Sequence, residues 1–186
     1  MAVPGVIVAV DVDNLLISSR EAGQGFTKYN LETGFRKMFE WIQTFAKILC
    51  VHFYLPASQS GNDALWNTLW EEYRERFYFF EAIYCPKRKT ENALRRTDDV
   101  DRHLIGHTIK LAEVFGDQVQ YFCLGSGDLD YSPLLWQLKR EREIKIAFAI
   151  GSEQSFSSVY RQMEIAAKNP VTNEELIHYF SPQKDT

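Results

Sequence analysis

The chain has 186 residues, 45% hydrophobic and 25% charged, a length that fits one packed domain better than two. Its formal net charge is −4, so a nucleic-acid partner would have to be held by a local basic patch rather than by bulk charge. Three cysteines without CxxC spacing argue against a disulfide framework or a thiolate zinc site and fit a reducing, cytoplasmic setting.

Residues 6–10 are a continuous apolar run, the pattern of a parallel strand buried on both faces, and they lead straight into Asp11, Val12, Asp13 and Asn14. The run lacks the basic start of a signal peptide and the length of a membrane span. After a polar stretch containing Gly23 and Gly25, Phe35, Phe39, Ile42 and Ala46 recur at helical spacing. Residues 48–55 then read as a second strand, closed by Pro56. Residues 63–76 are predicted helical, with Leu65, Trp66, Leu69, Trp70 and Tyr73 as a core stripe, and 77–84 form the third strand.

Residues 86–97 have no apolar period and carry Lys87, Arg88, Lys89, Arg95 and Arg96, so they read as a flexible basic loop. A third helix spans 98–115 and a fourth strand 119–124. Gly125 and Gly127 permit a sharp turn, Ser132 can cap the next helix and Pro133 suits its first position. That helix runs 134–142, a fifth strand 144–150, and Phe156, Val159, Tyr160, Met163 and Ala167 mark another helix. Thr172 and Glu175 resemble a capping box opening a short last helix around Leu176, Ile177 and Phe180. The expectation is one domain over 1–168, followed by a short C-terminal helix and tail over 169–186. Alternating strands and helices imply a three-layer α/β/α sandwich around a mostly parallel five-stranded sheet.

Asp11, Asp13, Asp128 and Asp130 thus fall at the carboxyl ends of the first and fourth strands, the edge where open α/β sheets bind ligands. If those strands are neighbours the carboxylates converge, and carboxylates that close repel unless a cation intervenes. Oxygen ligands favour Mg²⁺ or Mn²⁺ over zinc. In the third helix the apolar stripe Leu104, Thr108, Leu111 and Phe115 lies about 60° from Asp101, but about 120° and 140° from Asp98 and Asp99. Asp101 is therefore the inward-leaning acid, and Asp98 and Asp99 cap the helix or face water. His103 and His107 adjoin at i and i+4, but without a Glu between them or another soft ligand they read as surface or supporting histidines. Asn14 and Ser126 are open between turn formers and groups that orient a carboxylate or phosphate.

These residues carry a resemblance. Asp11-Val12-Asp13-Asn14 is similar to the D-x-x-N of the first strand in the NYN family, the LabA-type branch of PIN-like nucleases. Asp101-Arg102-His103-Leu104 resembles that family's D-x-x-L, and residues 126–133 resemble its S-G-D-x-D-[FY]-x-P element. The resemblance implies a sheet order 3-2-1-4-5 and metal-dependent RNA cleavage by Asp11, Asp101, Asp128 and Asp130, with Asn14 and Ser126 in support. Asp13 has no clear counterpart in the motif and stands as a lesser ligand candidate. Two positions depart from the pattern: His107 stands where the family often has a further Asp, and Arg95 and Arg96 replace a Lys-Gly pair.

On this reading the acids bind one or two Mg²⁺ or Mn²⁺ ions, and Lys87, Arg88, Lys89, Arg95 and Arg96, with help from Arg102, lead an RNA backbone to them. One alternative is a phosphatase resembling the haloacid dehalogenase superfamily, since Asp11-Val12-Asp13 echoes its D-x-D pair, although Asn14 and Leu15 depart from that motif and no Lys element follows. Another is a catalytically weak RNA-binding adaptor on the same scaffold. The expected partner is RNA and no membrane; a homodimer is compatible with the sequence.

Overall fold

The computed structural model describes residues 3–15, 28–57, 63–89, 96–150 and 156–162. In chain order the elements are β1 (Gly5–Asp11), α1 (Lys28–Gln43), β2 (Lys47–Pro56), α2 (Asp63–Tyr73), β3 (Phe79–Cys85), β4 (Lys87–Lys89), β5 (Arg96–Asp98), α3 (Val100–Phe115), β6 (Val119–Gly125), α4 (Ser132–Arg142), β7 (Lys145–Phe148) and α5 (Ser158–Gln162). Met163, Ala167 and the last predicted helix lie outside the described residues, as does the proposed boundary at 168.

Five strands form one sheet in the order β3-β2-β1-β6-β7. All four pairings are parallel. Counted along the chain, this is the order 3-2-1-4-5, with β1 in the centre and β6 beside it. Every residue of β1 is buried, which explains its unbroken apolar run.

Successive β1 side chains point to opposite faces and enter two separate cores. Val6, Val8 and Val10 pack with Phe35, Met38, Phe39 and Ile42 of α1 and with Leu69 and Tyr73 of α2. Ile7 and Ala9 pack with Val100, Leu104 and Ala112 of α3 and with Leu134, Leu135 and Leu138 of α4. The connections through α1 and α2 step along the sheet one way, and those through α3 and α4 step the other way. Right-handed crossovers then require the two helix pairs to cover opposite faces, giving the three layers.

The basic segment differs from expectation at its flanks. β4 and β5 pair antiparallel, Lys87 opposite Asp98 and Lys89 opposite Arg96, as a separate two-stranded ribbon. Such a ribbon needs only paired backbone groups, which leave no apolar period in the sequence.

Candidate active site

Asp11 is the last residue of β1 and follows Ile7 and Ala9 onto the α3 face. It is only 7% exposed. The chain turns into a short helical stretch at residues 12–15, which brings the Asn14 N–H to Asp11 Oδ1 at 3.1 Å. The Asn14 side-chain oxygen in turn accepts the Gly127 N–H at 3.2 Å, joining the ends of β1 and β6. Val10 and Gly125 are register partners there, and a Cβ on Gly125 would lie 3.0 Å from both Val10 γ-carbons. Gly125 therefore serves close strand approach. The sharp turn expected at Gly125 and Gly127 is made without positive φ at either: among the described glycines only Gly116 has it.

Past β6 the turn is built by its own side chains. Ser126 is fully buried and its Oγ accepts the Asp128 N–H at 3.1 Å. Asp128 Oδ1 accepts the Asp130 N–H at 3.1 Å and caps a single 3-10 turn, Leu129–Tyr131, that precedes α4. Ser132, expected as the cap, is already helical: the interposed turn moves the first unpaired N–H back to Asp130, where Asp128 meets it.

That 3-10 turn drives Tyr131 inward until it is fully buried. Its hydroxyl lies 2.8 Å from Asp11 Oδ2 and 2.7 Å from Asp101 Oδ1. Asp101 stands in the first turn of α3, whose buried residues include Leu104, Thr108 and Ala112. Leu111, expected in the core stripe, is only half-buried. With Ala112 in its place the stripe passes within about 20° of Asp101, closer than the sequence suggested.

Burial raises the Asp11 pKa to about 6, and the charges of Asp101 and Asp13 push the same way. Burial likewise raises Asp101, and Asp128, Asp130 and Asp99 add to the rise. The four acids Asp11, Asp101, Asp128 and Asp130 thus share one electrostatic neighbourhood. Among the described side chains, which do not include those of Lys87, Arg88, Lys89 and Arg96, no Lys or Arg forms an ion pair with any of them.

The remaining candidates are placed unevenly. Asp13 is half-buried near Asp11, and Asp130 is exposed at the rim. Asp99 precedes α3 without a side-chain capping bond, and its carbonyl lies 2.7 Å from His103 Nδ1. Lys87, Arg88 and Lys89 lie on β4 and Arg96 on β5, while Arg95 lies outside the described residues. His107 lies edge to face between His103 and His52, with ring centroids 5.9 and 6.3 Å apart, so the pair predicted on α3 joins a third histidine from β2. Burial lowers the His52 pKa to about 4, which keeps that ring neutral.

Two tyrosines escaped the sequence reading. Tyr131 was a ring in a motif, yet its hydroxyl makes the only contact linking Asp11 to Asp101 among the described residues. Tyr160 donates to the Asp128 carbonyl while the Ser157 N–H bonds the Gly127 carbonyl at 3.0 Å, so the start of α5 clamps the acidic turn. A tyrosine at the Phe/Tyr position of the motif was the available signal for the first; nothing in the sequence marked the second.

Carboxylate oxygens suit a hard divalent cation, and their unneutralised charge is what such an ion offsets. Among the described residues, no three His, Cys, Asp or Glu side chains already surround one cation position. The donor set fits in chemistry, with Asp128 half-buried and Asp130 exposed at its outer side.

The NYN domain model matches residues 5–166. The chain belongs to the NYN family. Family membership places it in the PIN-like nuclease superfamily, whose members generally use divalent metals. A crystal structure of a protein of unknown function from Vibrio parahaemolyticus has the same fold, with a TM-score of 0.63 at 18% identity, over 86% of this chain and 88% of that one. No curated protein matches the chain. Among the described residues of this NYN domain, no helix is long and apolar enough to cross a membrane.

Proposed function

We propose that this NYN domain is a ribonuclease dependent on Mg²⁺ or Mn²⁺, acting at the carboxyl edge of β1 and β6. The observation that carries the reading is the meeting of Asp11 and Asp101 on one buried hydroxyl, in the electrostatic neighbourhood of Asp128 and Asp130. Asp11, Asp101 and Asp128 would hold the metal, with Asp130 at the rim and Asp13 as a lesser ligand. When bound, the metal supplies charge for the scissile phosphate and an activated water for in-line hydrolysis.

The protein's own groups do the positioning. Asn14 fixes the Asp11 carboxylate through its backbone N–H and ties the β6 turn to it through its side chain. Ser126 holds the Asp128 backbone, so the carboxylate leaves the turn in one direction. Lys87, Arg88, Lys89, Arg95 and Arg96, on and between the strands of the ribbon preceding α3, meet the RNA phosphates, which makes affinity fall with salt. The setting is cytoplasmic, in keeping with three buried free cysteines.

Labelled single-stranded and structured RNAs incubated with Mn²⁺ test this reading. Cleavage by the parent that is lost on chelation and in Asp128→Asn supports it. RNA binding without metal-dependent cleavage would replace it with an adaptor role.

A further inference from the structure

We propose that Tyr131 is the positioning residue of the carboxylate site, its hydroxyl setting the spacing of Asp11 and Asp101 at which a divalent cation is taken up. The inference rests on the metal-dependent nuclease reading and assigns to one side chain the geometry which that reading needs.

The argument starts from what the ring alone explains. Tyr131 sits in the apolar cluster with Leu104, Leu124, Leu134 and Leu135, a place that a phenylalanine ring would fill equally well. The motif itself accepts either residue. Packing therefore accounts for the ring and leaves the hydroxyl without a reason. A buried hydroxyl lacking a partner is costly. Here it has two acceptors, at 2.8 and 2.7 Å, and both are site carboxylates.

Three segments meet through this one oxygen. Asp11 comes from the end of β1, Asp101 from the first turn of α3, and Tyr131 from the same 3-10 turn that Asp128 caps. Both Asp11 oxygens are engaged, Oδ1 by the Asn14 N–H and Oδ2 by the Tyr131 hydroxyl, so its carboxylate plane is fixed. Among the described residues Asp101 is held at Oδ1 alone, which leaves Oδ2 for a ligand bond. A phenol has one proton, so it donates to one acid at a time, yet it keeps both within hydrogen-bond distance of the same atom. Without it, two like charges would spread apart. Groups that orient metal ligands in this way are typically worth about 10- to 100-fold in metal affinity or activity.

The test is Tyr131→Phe against the parent, with folding checked by circular dichroism and Mn²⁺ affinity measured by calorimetry and electron paramagnetic resonance. The expected result is a Kd for Mn²⁺ raised by roughly tenfold or more. RNA cleavage should show a lowered kcat with unchanged KM for RNA, recovered at higher Mn²⁺. An unchanged Mn²⁺ affinity overturns the inference. So does a loss of activity that no Mn²⁺ concentration recovers. Should Tyr131→Phe fail to fold, the parent labelled with ¹³C at the tyrosine ring carbon bearing oxygen serves instead. One of its nine tyrosine resonances should move on Mg²⁺ addition, and that same resonance should also move in metal-free Asp101→Asn. Absence of such a resonance overturns the inference. A parent that binds Mn²⁺ but cleaves no RNA overturns the ribonuclease reading and leaves the Tyr131 comparison intact; a parent that binds no Mn²⁺ overturns both.

Discussion

The two faces of the central sheet are built to different ends. On the α1 and α2 face, Phe39 meets Phe53, Tyr73, Phe77 and Phe80 edge to face, with centroids 5.0 to 6.4 Å apart, and every ring is buried. On the α3 and α4 face, the same β1 strand delivers a buried carboxylate, and Asp11, His52 and Thr108 interrupt the apolar surface. His52 Nε2 and Thr108 Oγ1 lack hydrogen-bond partners there, whereas the aromatic face buries no comparable polar group among the described residues. Both sides of β1 bury an apolar core, but only the α3 and α4 side sets a charge that opposes stability within it, among the described residues.

Substitutions on the two faces should therefore separate folding from activity. Phe39→Ala removes a fully buried ring at the centre of the aromatic cluster and should cost about 3–5 kcal/mol, lowering Tm by roughly 10 °C. Activity per folded molecule should stay near the parent value, read by denaturant melts beside cleavage assays. Asp128→Asn should do the reverse. Asn caps a turn as well as Asp, so the 3-10 turn survives, and the repulsion on Asp101 is relieved. Turnover should fall by about 100-fold or more with Tm unchanged or slightly raised. A variant that loses stability along with activity would merge the two faces.

How much of this could be read from the chain depends on what each signal needed. The parallel sheet was legible because central strands buried on both faces are apolar throughout, as residues 6–10 are. The order of the strands came from the family motif, not from periodicity, since nothing local in the sequence states which strand is β1's neighbour. Asp101 was picked out by helical geometry, and the swap of Ala112 for Leu111 in the stripe only strengthened that choice. The ribbon of β4 and β5 and the hydroxyls of Tyr131 and Tyr160 were not legible. Each depends on pairing between distant segments, and a tyrosine reads as core in any period count.

The charged face also predicts a pH dependence. Asp11 has a folded pKa near 6, above its unfolded value of 3.8, so the folded state binds the extra proton. Its contribution is fully present below about pH 4 and is lost as pH rises through about 6, a change on the order of 3 kcal/mol. In metal-free protein, Asp11→Asn should flatten that part of the stability profile, measured by urea melts from pH 4 to 8. Mn²⁺ should stabilise the parent most at the upper end, where Asp11 is ionised and its repulsion with Asp101 is greatest. The His52 pKa, lowered to about 4, makes the parent profile climb over the same range, so the difference decides. A parent-minus-Asp11→Asn stability that does not fall from pH 4 to 7 without metal would show that burial does not raise Asp11.

The smallest effect tests whether α5 belongs to the site. Tyr160 is fully buried, packs at a tilt against Phe148 and Phe156, and donates its hydroxyl to the Asp128 carbonyl. Tyr160→Phe keeps the ring and removes that one bond, a loss of about 1 kcal/mol. Because the bond reaches the backbone of Asp128, the carboxylate should lose some of its fixed direction while Asp11 and Asp101 keep theirs. Cleavage should fall a few-fold, with Mn²⁺ affinity changed less than in Tyr131→Phe. Equal effects of the two substitutions on Mn²⁺ affinity would mean that bonding the carboxylates directly gives Tyr131 no separate role, since Tyr131 bonds Asp11 and Asp101 while Tyr160 bonds only the backbone of Asp128.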